Sequence, residues 1–401
     1  MRDIFEKCRE FANFEKKRRL EEAGLYPYFR PVSSAEEAEA VVNGKKLVML
    51  GSNNYLGLTT HPKVKEAAIQ AIKEYGTGSC GSRFLNGTLD LHLRLEEKLA
   101  KFVKKEAALV FSTGYQTNIG ILTALIGRDD VAVLDKWDHA SIVDGARMSY
   151  GEIKRFKHND LEDLERVLQS IPDDKHALIV VDGVFSMEGD IADLPGIIKV
   201  AKKYGARVMT DDAHAMGVIG EYGSGTASHY GVTEDTDLIM ATFSKSFASI
   251  GGFVAGDADV IDYIKHFGRS MIFSAALPPA AVATAEAALE IMLTEPERRE
   301  QLWKNTKKWQ EGLKSMGYDI GMTQTPIVPV IIGDDDLTFL MWKELFENGV
   351  YVNPVITPAV PPGRQLLRTS IMATHTDEML DRALEAFEKV GKKLGVISRQ
   401  V

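Results

Sequence analysis

ALIVVD at 177–182, ARVMTD at 206–211 and LIMATF at 238–243 are short runs of almost unbroken apolar character, each meeting a polar cluster at its C-terminal end. A strand wetted on one face alternates apolar and polar residues, whereas a strand covered on both faces does not. These runs therefore predict central strands of a sheet buried on both sides. Working outward, AALVF at 107–111, VAVLD at 131–135 and GGFVAG at 251–256 have the same character, and helical spacing fills 161–170 and 194–204 between them. Strands alternating with helices in this way indicate an α/β fold with a mostly parallel sheet.

The texture changes near 277–279. An Ala-rich helical pattern covers 280–292 and a charged one 295–316. Strand-like PIVPVII (326–332), a helix over 336–348, the strand YVN, the loop TPAVPPG and the strand LLRTSI follow. A last helix begins near Thr376, with Asp377 and Glu378 in the first turn, where the dipole favours acids, and Leu380, Leu384 and Phe387 on its apolar face. This order suggests a smaller C-terminal α+β domain. The expected division is 1–52 as N-terminal helix and arm, 53–285 as the large domain and 286–401 as the small one. At the start, Ile4, Phe5, Cys8, Phe11 and Phe14 recur at helical spacing, with Gly24 as a stop, and Lys16–Arg19 reads as a solvated basic face.

The 401 residues carry 48 Lys+Arg against 57 Asp+Glu, a net charge of −9, which argues against nucleic acid as a partner. The 45% hydrophobic content argues against a disordered chain. Only two cysteines, Cys8 and Cys80, are present, as expected of a reducing cytoplasm and not of a disulfide scaffold. No apolar run approaches the ~18 residues of a membrane span, and MRDIFEKCREF is too charged for a secretory signal.

Five polar clusters fall after predicted strands: STGYQ, DKWDHAS, DGVFSMEGD, DDAHAMG and TFSKS. In open α/β sheets that edge binds ligands. Lys245, flanked by Thr242, Ser244 and Ser246, is either a surface or phosphate-binding lysine or a nucleophilic amine, and the segment alone leaves both open. Asp211 ends a strand expected to be buried, and a buried carboxylate needs a partner such as a protonated pyridine nitrogen. His214 could bond a phenolic oxygen; a structural Asp–His pair is the alternative. His139, in DHAS, could stack on an aromatic ring or be a structural histidine. Gly114 and Tyr115 open a helix at a turn, where backbone N–H groups suit a phosphate. No metal-ligand spacing is evident, so no metal is expected.

Taken together, SNNYLGL, GSRFLNGT, FSTGYQ, DHAS, FSMEGD, DDAHAMG, TFSKS, FSAALPP and LLR resemble the α-oxoamine synthases, pyridoxal-phosphate enzymes of aminotransferase fold type I, from about residue 25 to 390. Members condense an amino acid with an acyl thioester and lose CO2. GSRFLNGTLDLH, FSTGYQTNIG, DHASIVDGARMS and ASHYGV are most like the soluble bacterial serine palmitoyltransferase branch, which joins L-serine to palmitoyl-CoA at the start of sphingolipid biosynthesis. The glycine C-acetyltransferase (2-amino-3-ketobutyrate CoA ligase) and 8-amino-7-oxononanoate synthase branches are the alternatives.

The resemblance implies pyridoxal 5′-phosphate held by Lys245 as a Schiff base, with Asp211 at the pyridinium. It implies His214 and Ser186 on the phenolic side, His139 stacked on the ring, and Gly114, Tyr115, Thr242 and Ser244 at the phosphate. Asn53 and Arg368 would meet the substrate carboxylate. Ser274 would reach the phosphate of a partner subunit, in a homodimer whose site is shared. The expected place is the cytoplasm, with peripheral contact at the inner face of the membrane compatible with it. One departure is plain: the arginine that some serine palmitoyltransferases carry before a PPATP-like loop is replaced here by Ile356, which leaves Arg368 as the principal cation.

Overall fold

The computed structural model describes residues 3–12 and 14–398, without the side chains of Ala12 and Lys16. In chain order its strands are β1 (Glu39–Val42), β2 (Lys45–Met49), β3 (Ala107–Phe111), β4 (Asp130–Asp135), β5 (Glu152–Phe156), β6 (His176–Asp182), β7 (Arg207–Asp211), β8 (Leu238–Thr242), β9 (Gly252–Gly256), β10 (Ile327–Ile331), β11 (Val350–Tyr351), β12 (Asn353–Val355) and β13 (Leu366–Ser370). Seven of them form one sheet in the order β3-β9-β8-β7-β6-β4-β5. Only β9 runs against its neighbours β3 and β8; the contacts from β8 through to β5 are parallel.

The unbroken apolar runs have the cause the sequence suggested. Along β6, Ile179 and Val181 join one buried cluster with Val131, Val133, Leu164, Ile197 and Ile198. Leu178 and Val180 join another with Ala132, Leu134, Ile121, Leu122 and Ile142. Successive side chains of a strand point to opposite faces, so both faces are covered by helices and neither alternation member is wetted.

The parallel arrangement brings the C-terminal ends of β3, β4, β6, β7 and β8 to one edge, carrying the five polar clusters with them. The helix Gly114–Leu125 starts at this edge, where Thr113 caps it by accepting from the Gln116 N–H at 3.1 Å.

Two small sheets complete the chain: β10-β13-β12, antiparallel, and β1-β2-β11. Because β2 pairs with β11, the N-terminal arm is attached to the C-terminal region. The Ser370 N–H donates to the Leu50 carbonyl and the Ala373 N–H to that of Tyr55, both at 2.7 Å. These bonds lay the SNNYLG segment beside β13.

Three features differ from the sequence reading. The N-terminal helix is split into Glu6–Ala12 and Glu15–Glu22, and Ile4, Phe5, Phe11 and Phe14 remain exposed instead of packing on this chain's core. In the basic run, the Lys16 side chain lies outside the described residues; Lys17 pairs with Glu21 and Arg19 reaches Asp336. Strands β1, β2 and β5 were not anticipated. The edge strand β5 reads EIKRF, and its wetted flank admits charges that a central strand excludes.

Candidate active site

A cavity of about 340 Å³ opens at the C-terminal edge of the sheet. Thr113, Gly114 and Tyr115 supply one wall and Thr242, Ser244 and Lys245 another. The first N–H groups of the helix Gly114–Leu125 have no partner within the helix, so this end suits an anion. A Cβ on Gly114 would lie 2.7 Å from Thr242 Oγ1, so only glycine lets helix and strand approach this closely. Thr242 donates to the Gly251 carbonyl at 3.0 Å and meets Ser244 Oγ at 2.9 Å. Tyr115 lines the cavity, but its hydroxyl donates to Asp144 at 2.7 Å, leaving its ring and backbone to face the cavity.

The opposite wall is a connected polar network. Asp211, buried at the end of β7, accepts from Asn118 Nδ2 at 2.8 Å and from the Ala213 N–H at 3.0 Å. Asn118 also donates to Ser141 Oγ at 2.9 Å, and Ser141 meets His139 Nδ1 at 2.7 Å. The Ser141 N–H donates to that same Nδ1 at 3.2 Å, so Nδ1 accepts and the ring proton of a neutral His139 lies on Nε2. Burial holds His139 below the usual imidazole range against the opposing pull of Asp211. Asn118 Oδ1 is buried without a partner. Burial brings Lys245 down to about 8, opposed by the Asp211 carboxylate and assisted by the Arg368 charge. Its amine is therefore neutral in a useful fraction near neutral pH.

His214 lies on the cavity wall, and Nδ1 is 2.7 Å from the hydroxyl of buried Tyr55. Arg368, on β13, is only 5% exposed. Its Nε donates to the Ser186 carbonyl and its Nη1 to Ser370 Oγ at 2.9 Å. Among the described residues no carboxylate forms an ion pair with it, although its charge is felt by Lys245, His214 and Tyr55. Asn53 joins this group through Oδ1, 3.4 Å from Ser370 Oγ.

The structure thus gathers Gly114, Tyr115, His139, Asp211, His214, Thr242, Ser244 and Lys245 around one cavity. Arg368 and Asn53 stand behind it, against Tyr55 and Ser370. Ser186 lines a neighbouring groove of about 440 Å³, formed also by Lys136, Trp137, Phe185 and the loop 357–362. Next to that loop, Arg364 pairs with Glu188 at 2.8 Å. Ser274 lies off the cavity wall and accepts from Gln116 Nε2 at 3.0 Å. Sequence reasoning passed over Asn118, Ser141, Tyr55 and Asp182. Asn118 had a readable signal, one helical turn beyond Gly114 and so on the same helix face.

The aminotransferase class I and II family profile matches residues 45–387. A serine palmitoyltransferase of Sphingobacterium spiritivorum is 53% identical over 379 residues, covering 94% of this chain and 95% of that one. An 8-amino-7-oxononanoate synthase of Thermoanaerobacter pseudethanolicus is 44% identical, covering 96% and 97%. A solved serine palmitoyltransferase structure carrying pyridoxal phosphate superposes with a TM-score of 0.95 at 39% identity, covering 99% of this chain and all of that one. With its fold matched at that level and relatives of both names along nearly its whole length, the chain belongs to the aminotransferase class I and II family, has aminotransferase fold type I, and falls among the α-oxoamine synthases its motifs resemble.

Proposed function

We propose that this chain is a pyridoxal-phosphate-dependent serine C-palmitoyltransferase. It joins L-serine to a long-chain acyl-CoA, palmitoyl-CoA, and releases CoA and CO2 to give 3-ketodihydrosphingosine, the first step of sphingolipid biosynthesis. The identity of 53% to a serine palmitoyltransferase, against 44% to an 8-amino-7-oxononanoate synthase, supports this choice of branch.

The residues fit the cofactor. A glycine whose Cβ would strike Thr242 leaves room at a helix N-terminus for a phosphate. Asp211 is a buried anion facing a cavity, and Asn118 keeps an unpartnered oxygen beside it. Gly114, Tyr115, Thr242 and Ser244 would hold the phosphate, Asp211 the ring nitrogen, His139 the ring face, His214 and Ser186 the phenolic side, and Lys245 the carbonyl carbon. Bound there, pyridoxal phosphate supplies an electron sink for charge developed at the Cα of the amino acid.

The observation that carries the substrate reading is Arg368. A buried guanidinium with no carboxylate partner is costly unless an anion completes it. The substrate carboxylate is such an anion, and an arginine fork holds it with two parallel bonds. Asn53 lies in reach of the same group. Lys245 Nζ, held at about 8, is the amine suited to take the Cα proton.

The reading extends to a homodimer sharing its site, with Ser274 directed to the partner's phosphate. Exposed Phe84, Leu85, Ile250 and Phe273 support it, since Ile250 lines the cavity and Phe273 adjoins Ser274. Residues 53–285 then form the cofactor-holding unit and 286–401 the smaller one, with 1–52 as the N-terminal helix and arm. Among the described residues no helix is long and apolar enough to cross a membrane. We place the enzyme in the cytoplasm, with exposed Phe5, Phe11 and Phe14 offering peripheral contact with the membrane's inner face. Serine, glycine and alanine, each incubated with acetyl-, pimeloyl- and palmitoyl-CoA, test the substrate assignment by product mass. Serine with palmitoyl-CoA is expected to dominate; a dominant glycine–acetyl or alanine–pimeloyl product would overturn it.

A further inference from the structure

Tyr55 lies in the SNNYLG segment two residues beyond Asn53, 1% exposed, with its hydroxyl 2.7 Å from His214 Nδ1. A phenol has one proton to give and two lone pairs. Arg368, which can only donate, stands against the same oxygen with Ser370 beside it. Ser370 Oγ already accepts from Arg368 Nη1 at 2.9 Å, and Asn53 Oδ1 is 3.4 Å from the phenol. At 2.7 Å the imidazole nitrogen makes much the better acceptor, so it takes the proton.

We infer that Tyr55 is a positioning residue that fixes the tautomer of His214: its Oη–H donates to Nδ1, and the ring proton sits on Nε2, the nitrogen left for the cavity. This deepens the cofactor reading above and rests on it. Burial, with the charges of Lys245 and Arg368, holds His214 well below the usual imidazole range, so the ring carries one proton. Where that proton sits decides the sign of the contact. On Nε2 it is donated to an anionic phenolic oxygen; on Nδ1 the ring would turn a lone pair to that oxygen and repel it. Burial pushes the Tyr55 hydroxyl up to about 12, so it stays protonated while it donates. Tyr55 thus stands between Arg368, the residue proposed for the substrate carboxylate, and His214, the one proposed for the cofactor oxygen.

Nitrogen-15 NMR of the full chain, labelled in its histidine rings and recorded before and after loading with pyridoxal phosphate, tests this. His214 is assigned by its absence in His214→Gln. The expected wild-type spectrum has Nε2 protonated and Nδ1 unprotonated, with Nδ1 shifted as an acceptor of a hydroxyl proton. In Tyr55→Phe both tautomers are expected before loading, and pyridoxal phosphate is expected to bind about tenfold more weakly. A wild-type ring protonated on Nδ1, or a Tyr55→Phe ring in the wild-type tautomer alone before loading, overturns the inference. Should Tyr55→Phe not fold, the wild-type spectrum decides, because an acceptor Nδ1 and a free one resonate apart. Borohydride reduction and peptide mapping separate the two readings. A pyridoxyl mark on Lys245 with Nδ1 protonated refutes the tautomer assignment alone. No mark there with Nδ1 accepting refutes the cofactor reading and upholds the tautomer.

Discussion

Arg368 is the residue on which the proposed substrate recognition turns. Its guanidinium is buried, is held by the Ser186 carbonyl and Ser370 Oγ, and has no carboxylate partner among the described residues. A charge-assisted contact is worth about 1.5–3 kcal/mol. Arg368→Ala should therefore keep cofactor and fold but bind serine about tenfold or more weakly, as read by titrating serine against the cofactor absorbance. A dissociation constant within about twofold of wild type, a loss under ~0.4 kcal/mol, would remove Arg368 from that role. At this scale the gathering of Gly114, Tyr115, His139, Asp211, His214, Thr242, Ser244 and Lys245 was legible, because each sits in a short polar cluster after an apolar strand. The residues that hold them were not. Tyr55 meets His214, and Asn118 meets Asp211, across long stretches of chain that no local spacing connects. Loss of the loop arginine at Ile356 was legible too. What occupies that region, Arg364 paired with Glu188, needed the fold.

Among the elements, the loops after β4, β5 and β6 are tied by one histidine. His158 Nδ1 donates to Asp135 at 3.0 Å and Nε2 to Asp190 at 2.9 Å, while Trp137 stacks on the ring at 3.9 Å and Phe185 meets it edge-on. Both nitrogens donate, which requires the imidazolium. Burial pulls its pKa down, but the two carboxylates outweigh burial and raise it to about 9. A folded value above the unfolded ~6.5 stabilises fully below that lower pH, and the contribution fades as pH rises through about 9. His158→Gln should accordingly lower the melting temperature at pH 6, by roughly 2–3 kcal/mol of stability, and by clearly less at pH 9.5. Equal losses at both values would show that the charge is not what holds these loops. Asp135 heads the turn that leads to His139, and Asp190 closes the loop that carries Ser186, so the tie bears on the site through its supports. The element order was legible wherever a strand is buried on both faces. β5 escaped because its edge position admits Glu152, Lys154 and Arg155, and the N-terminal helix was read as one because its apolar spacing continues across the break between its two parts.

For the whole molecule, the decisive circumstance is that strands β4 and β6–β8 run parallel, with β3 in the same sense, and so deliver five loops to one edge. Covered faces and a shared edge follow from the apolar runs, so the large unit could be foreseen. The attachment of the N-terminal arm to the C-terminal region through β2 and β11 could not, since a two-residue parallel pairing leaves no pattern in either segment. Exposed Phe84, Leu85 and Phe273 beside Ser274 are expected to be covered by a second copy. Sedimentation should give a two-fold dimer, and an active monomer would contradict a site completed across subunits. The proposed condensation expels the serine carboxyl group, and a carbon-13 label follows that loss. The purified protein is loaded with pyridoxal phosphate and given palmitoyl-CoA with L-serine carrying carbon-13 in its carboxyl group. One labelled CO2 is expected for each CoA thiol released, together with a long-chain amino ketone without label. Release of CoA with the label retained in serine or in an acylated product would contradict it.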